Sequence, residues 1–356
     1  MSQVRKVLSR WGESFLPVVA VAAALVVGAV MLLGLNVNPL EAYGAMLTGV
    51  VGSVSGFTQA LVKATPLLLV GLGITIAFRG GVINIGGEGQ LIVGALAATA
   101  IALALPEWPG VVLLPMTLAA GILGGAVWGG VPGALKARLG VNEILSTIMM
   151  NQIAVQFANF LLRGPMIDPA EIAAGTQIAQ SAQLPDQVWL VRLVPRTLLN
   201  AGAIIAVVAA VLVYIFLWRT TIGYRIRAVG LNPDAARFAG IRVPLYQALS
   251  LILGGAFAGL AGAVEVMGVQ HRMLEGLSGG YGFSGIVAAL FGKLHPLGMI
   301  PSSILFGGLL VGADKMQRAV QVPSALIDTL LGLVVLFIVS SDIWVRYRAR
   351  QRQTHE

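Results

Sequence analysis

The sequence predicts an all-α, polytopic transmembrane bundle of about ten helices, or eight if two of its apolar stretches are re-entrant. Three observations lead there. Hydrophobic residues make up 57% of the 356 and charged residues only 11%, where a water-soluble domain carries about 25% charge. Mean hydropathy is +0.87, and apolar stretches recur with no hydrophilic block long enough for a separate core. Basic residues gather in short segments beside those stretches, not among aromatics on a polar surface. The net charge of +8 therefore reads as the positive-inside bias of a membrane protein, and nucleic acid is excluded as a partner. Residues 1–356 read as one membrane domain.

A bilayer core takes about 20 apolar residues per helix. Ten spans answer to this: 15–35, 60–78, 82–105, 110–134, 142–162, 197–217, 244–268, 276–292, 296–313 and 323–341. The first follows Arg5, Lys6 and Arg10 and looks like a secretory signal. Its apolar run, Leu16–Leu33, exceeds the roughly 7–15 residues of a signal core and leads to no cleavage site, so it is expected to be a retained helix. The eighth and ninth spans are short, glycine-rich and the weakest. With the N-terminus inside, 16 of the 23 basic residues fall on the inner side, among them Arg346, Arg348, Arg350 and Arg352, so both termini are expected to be cytoplasmic. Residues 163–196, with Pro165, Pro169, Pro185 and Pro195, form an external loop, and the basic stretch 219–243 an internal one. Glycine-rich breaks fall at 80–89 and 276–285. The first is placed at the inner face and the second at the outer, as an inverted repeat would arrange them.

Three polar constellations interrupt the apolar background. In the internal loop, Asn232 suits an N-cap, Pro233 the first helical position, Asp234 the positive helix end, and Gly240 the stop. A two-turn surface helix follows, offering Ala235, Ala236, Phe238 and Ala239 either to a partner's groove or to anionic lipid. In the first glycine-rich break, Asn84, Glu88 and Gln90 place polar groups where a helix is broken, which a membrane tolerates only against protein or a water-filled path. They line a path, or Glu88 satisfies freed backbone amides. After Gly140, Glu143, Thr147, Asn151 and Asn159 recur at multiples of four and trace one helix stripe. Such amides and hydroxyls suit a neutral, hydrogen-bonding solute, or else bond between helices at about 0.6 kcal/mol each. Gly121, Gly125, Gly129 and Gly133 form a ladder expected to pack closely on another helix.

Several chemistries are excluded or weak. The chain has no cysteine, and His271, His295 and His355 lie far apart, so neither a metal centre nor a thiol site is expected. Residues 285–293 lack the spacing of a phosphate loop, and Leu294 stands where a hydroxyl is required. Gly282-Phe283-Ser284-Gly285 matches the short GxSG pattern of rhomboid-type intramembrane proteases, but no histidine base is in evidence to face Ser284. No catalytic residue is expected.

These segments resemble a known family. GGVINIGGEGQ (80–90), GVNEILSTIMMNQ (140–152), GYRIRAVGLNPDAARFAGI (223–241) and GYGFSGIVAALFGKLHPLG (280–298) are similar to permease subunits of ABC importers of the branched-chain amino acid and ribose permease superfamily. Within it they are most similar to the purine-nucleoside permeases that depend on a basic-membrane-protein-type lipoprotein. The resemblance implies a multi-pass protein of the bacterial cytoplasmic membrane that imports a small polar solute. It implies three partners: a second, related permease, a cytoplasmic ABC ATPase and an extracytoplasmic substrate-binding lipoprotein. ATP and magnesium would then be held by the ATPase, and this chain would bind no cofactor. The resemblance makes the internal loop the coupling element, with Gly223, Arg227, Gly230, Asn232, Pro233, Ala235, Ala236, Phe238 and Gly240 as its residues. It sets both glycine-rich breaks beside the translocation path but maps no residue-level site; Asn84, Glu88, Gln90, Glu143, Thr147, Asn151, Phe283 and Ser284 are candidates by polarity and position. An alternative class is a self-sufficient secondary transporter in which Glu88, Glu265 or Asp328 carries protons.

Overall fold

The computed structural model describes residues 22–176 and 178–323, together with 326, 329, 332, 333, 336 and 337. Among them the regular structure is helical, with isolated bridges at Gln180–Leu274 and Arg192–Asn200. Two compact units are present: residues 58–308, and the described parts of 1–57 with 309–356. The all-α expectation holds.

The smaller unit contains α1 (Ala22–Gly34), α2 (Pro39–Val51) and the end of α13 (Pro296–Val320). Its core joins Leu32, Ala42, Ala313 and Met316. Helix α2 was not anticipated. Glu41, Tyr43 and Thr48 dilute its hydropathy, yet its start is written in the sequence: Pro39 takes the first turn and Asn38 accepts the Leu40 N–H at 3.0 Å.

In the larger unit, α3 (Val54–Arg79), α4 (Gly87–Ala104), α5 (Gly110–Leu139), α6 (Glu143–Leu162), α8 (Gly202–Arg219) and α11 (Val243–Glu265) form the bundle, after the short α7 (Pro169–Ala174). Surface helices α9 (Thr221–Leu231) and α10 (Pro233–Phe238) follow α8, and α12 (Tyr281–Phe291) precedes α13. Among the described residues, seven helices are long and apolar enough to cross a membrane: α3, α4, α5, α6, α8, α13, and α11 with its π-helical extension to Gln270. The glycine ladder sits where expected. A Cβ at Gly125 would collide with the Gly255 carbonyl, and one at Gly129 would stand 2.5 Å from Leu251 O. Helices α5 and α11 therefore touch backbone to backbone.

The two weakest spans are now told apart. Helix α12 has 11 residues, about 16 Å at 1.5 Å per residue, roughly half of a ~30 Å hydrocarbon core. It is a half-helix. Helix α13, expected to be doubtful over 296–313, instead runs 25 residues and is long enough to cross. Its glycines and Pro301 lowered the hydropathy without ending the helix. For the first span the described part, 22–34, is helical; residues 1–21, most of 323–341 including Asp328, the basic tail and His355 lie outside the described residues.

Residues 181–190 are fastened along the end of α11. Ser181 N–H donates to Met273 O at 2.9 Å, Leu184 N–H to His271 O at 2.8 Å and Leu190 N–H to Met267 O at 3.1 Å. His271, in the left-handed region at φ 55°, stacks on Trp189 with ring centres 3.9 Å apart. The loop expected to be irregular is therefore pinned by backbone bonds.

Candidate translocation site and coupling face

The first break begins where α3 ends at Arg79, and residues 80–86 run without helix until α4 starts at Gly87. The depth of that restart follows from packing. A Cβ on Gly87 would meet Val70 at 3.2 Å, and Val70 lies nine residues back along α3, about 13 Å from Arg79 at 1.5 Å per residue. That is nearly half of a ~30 Å core. The half-helix α12 begins at the same level: the Cα of Gly282 is 3.5 Å from the Gly87 Cβ position, and a Cβ on Gly285 would meet Val70 at 2.8 Å. Two helix N-termini thus converge deep inside the bundle. The first break starts beside the far end of α12, with Arg79 on Leu294, and the second beside residues 179–184; what the sequence did not foresee is that both segments reach inward and meet before their helices resume.

Glu88 closes this junction. Its carboxylate accepts the Gly280 N–H at 3.1 Å and the Gly282 N–H at 2.7 Å, while it stands in the first turn of α4. An anion there meets the positive ends of two helix dipoles and satisfies two N–H groups that the start of a helix leaves free. Of the two sequence readings for Glu88, the structure shows the amide contacts, made with α12 and not with its own helix. Glycine is required opposite it: a side chain on Gly282 would run into the Glu88 backbone.

The other polar residues hold the unwound segment. Asn84 and Gln90 exchange two side-chain hydrogen bonds, Nδ2 to Oε1 at 3.0 Å and Nε2 to Oδ1 at 3.2 Å, and Asn84 Oδ1 also takes the Gly86 N–H at 2.9 Å. From α6, Asn151 accepts the Gly89 N–H at 2.8 Å and donates to Ile85 O at 2.9 Å. Thr147 accepts the Ile85 N–H at 3.3 Å and donates to Glu143 O at 2.6 Å. All four side chains, like that of Glu88, are buried, and each satisfied backbone group avoids a cost of about 1–3 kcal/mol. Phe283 is half exposed and Ser284 partly buried, both in the first turn of α12. Glu143, at the start of α6, pairs with Lys136 at 2.7 Å and also accepts a hydrogen bond from the Ile83 backbone. His295, beyond the far end of α12, packs on Trp218 and Tyr214, so the histidine nearest Ser284 in sequence is committed elsewhere.

The surface helix α10 forms as its sequence dictates. Asn232 Oδ1 accepts from the Asp234 and Ala235 N–H groups at 3.1 and 3.0 Å, Pro233 takes the first turn, and Gly240 follows at φ 76°. Phe238 is 95% exposed. Ala236 is only 4% exposed and faces inward, so the presented face is Ala235, Phe238 and Ala239. A groove beside it is lined by Tyr224, Arg225, Ile241, Arg242, Leu245 and Tyr246. Gly223, Arg227 and Gly230 serve as supports. A Cβ on Gly223 would strike the Phe216 carbonyl and one on Gly230 the Arg79 carbonyl, while Arg227 Nε donates to Leu217 O at 2.9 Å.

Residues 56–339 match the family model described as branched-chain amino acid transport system / permease component. The chain belongs to that family. It is 37% identical over 349 residues to the glucose ABC transporter permease protein TsgB13 of Haloferax volcanii, covering 97% of this chain and 92% of that one. It is 35% identical over 335 residues to the guanosine ABC transporter permease protein NupP of Bacillus subtilis, covering 94% and 95%. With the nucleoside ABC transporter permease protein NupB of Lactococcus lactis the figures are 32% over 343 residues, 95% and 92%. The same two bacteria each hold a second, less similar permease named for the same solute. The permease is thus a multi-pass membrane subunit of an ABC importer, in which ATP is hydrolysed on a separate subunit; it is a transporter and not an enzyme. What the family resemblance did not supply was the Glu88 junction with the Gly280 and Gly282 amides. Backbone N–H groups leave no residue signature beyond the glycines themselves.

Proposed function

We propose that the permease imports nucleosides as one of two related subunits in the cytoplasmic membrane, with α9 and α10 on the cytoplasmic side. A cytoplasmic ABC ATPase, carrying ATP and magnesium, grips α10, and a substrate-binding lipoprotein delivers solute from outside. Residues 163–196 form the external loop and 219–243 the coupling loop of a single permease domain, with both termini cytoplasmic. The observation that carries the reading is Phe238: an almost fully exposed aromatic on a capped two-turn helix is costly in water unless a partner's groove receives it. The relatives named for guanosine and nucleosides support the solute, and the paired permeases in their organisms support a heterodimer. Solute passes beside the α4–α12 junction, where Phe283 offers a ring, Ser284 a hydroxyl, and Asn84, Glu88, Gln90, Thr147 and Asn151 hold the broken backbone open to a path. Glu143 steadies the inner end of α6. Mild-detergent co-purification from native membranes, followed by labelled nucleoside uptake with the recovered complex, tests this. An ATPase, a second permease and a lipoprotein should accompany the chain, and uptake should need ATP. Recovery of the chain alone with proton-driven uptake would overturn the reading.

A further inference from the structure

The coupling face and the half-helix α12 are joined by one cluster. Trp218, at the end of α8, has the Arg79 guanidinium 5.5 Å and the Arg227 guanidinium 5.2 Å from its ring centre. Its ring also lies 5.0 Å from His295, and Tyr214 lies 5.6 Å from Trp218 and 5.5 Å from His295. Each partner comes from a different part of the chain: Arg79 ends α3, Arg227 belongs to α9, and His295 sits in the turn between α12 and α13. Arg79 is anchored in that same turn, donating through Nε to Leu294 O at 2.9 Å and through Nη2 to Lys293 O at 3.4 Å. Lys293 and Leu294 both hold positive φ, 56° and 50°, so the turn is a tight reversal rather than a loose linker. On the other flank, Gly230 of α9 lies directly on the Arg79 carbonyl.

The geometry points to Trp218 as the positioning residue that carries a displacement of α9–α10 into the α12–α13 turn, and so along α12 to the Glu88 junction. The physical basis is an unbroken series of contacts. Cation–π attraction, strengthened where water is partly excluded, holds the two guanidiniums to the indole. Hydrogen bonds to main-chain carbonyls hold one of them to the turn. Helix α12 is a rigid rod of three turns whose far end is fixed by the Glu88 carboxylate. A pull on α10 therefore acts at one end of α12 while the anion clamp acts at the other. Without the indole the cluster has no common centre, and the turn can stay still while α9 moves. Contact continuity alone is not coupling; the transport stoichiometry tests it.

This inference rests on the coupling reading above, and the experiment separates the two. In proteoliposomes holding the complete complex, uptake and ATP hydrolysis are measured together for the wild type, Trp218→Leu and Trp218→Phe. Trp218→Leu should still co-purify with its ATPase, but uptake per ATP should fall about tenfold, the scale of a typical coupling free energy. Trp218→Phe, which keeps an aromatic face, should recover most of it. Should Trp218→Leu fail to accumulate, Arg227→Gln is read in the same way, with Arg227→Lys as its conservative partner. Unchanged uptake per ATP in Trp218→Leu or in Arg227→Gln would overturn the proposal. If the wild type itself recruited no ATPase, the coupling reading would fall, and this inference with it.

Discussion

The Glu88 carboxylate lies 2.7 Å from the Gly282 backbone nitrogen and so ties the start of α4 to the start of α12. This bond joins residues 194 positions apart, and with it two helix N-termini face one buried anion. Charge-assisted bonds of this kind contribute about 1.5–3 kcal/mol. Glu88→Ala should lower the melting temperature of the purified protein, with Glu88→Gln in between, since an amide oxygen still accepts but carries no charge. Equal melting of Glu88→Ala and wild type would show that the clamp is dispensable.

Asn151 occupies the corresponding position for the unwound segment, serving Gly89 N–H and Ile85 O at once. Asn151→Leu strands both groups, at about 1–3 kcal/mol each. Uptake should weaken with folded protein still recovered; uptake kinetics and thermal melting on the same preparation check this.

Helix contact at the glycine ladder is graded by position. Gly125→Ala forces α5 away from the Gly255 carbonyl and should destabilise by about 1–3 kcal/mol. Gly130→Ala places its methyl 3.4 Å from Ile252 and should be nearly neutral. Paired thermal melts decide it.

Two histidines make the fold sensitive to acid. Burial first, then the charge of Arg192, holds His271 below the ordinary imidazole value, against opposing effects from the Met267 backbone and Asp186. Burial and then Arg79 do the same to His295. Each is therefore harder to protonate when folded than when unfolded. Stability is fully present above the unfolded value of about 6.5 and is lost as pH falls below it, because the unfolded chain takes up protons first. Between about pH 8 and pH 5, the melting temperature should fall further for the wild type than for His271→Gln/His295→Gln.

Much of this was legible from residue order. Asn232, Pro233 and Gly240 announced α10 because caps and stops are local chemistry, and every fourth glycine announced a close-packing face on α5 because helix periodicity is local too, though not that α11 would fill it. The meeting of the two breaks was not legible. The sequence placed 80–89 and 276–285 at opposite faces without showing that each segment dips inward before its helix resumes. Whether a chain dips inward first depends on partners such as Val70 and Asn151, which are distant in sequence. Likewise Glu143, Thr147 and Asn151 share one stripe, and Glu143 divides its carboxylate between Lys136 at the helix start and the Ile83 backbone of the break. Ala236 was offered to a partner by spacing alone, and the helix turned it inward.

The most direct measurement concerns Phe238. In proteoliposomes containing the complex, ATP hydrolysis and labelled nucleoside uptake are followed together for wild type and Phe238→Asp. The account predicts that the variant inserts and accumulates normally but loses at least about tenfold of its ATP-driven uptake, because a carboxylate cannot enter an apolar groove. Uptake at the wild-type rate by Phe238→Asp, or uptake by the permease alone without an ATPase, would contradict it.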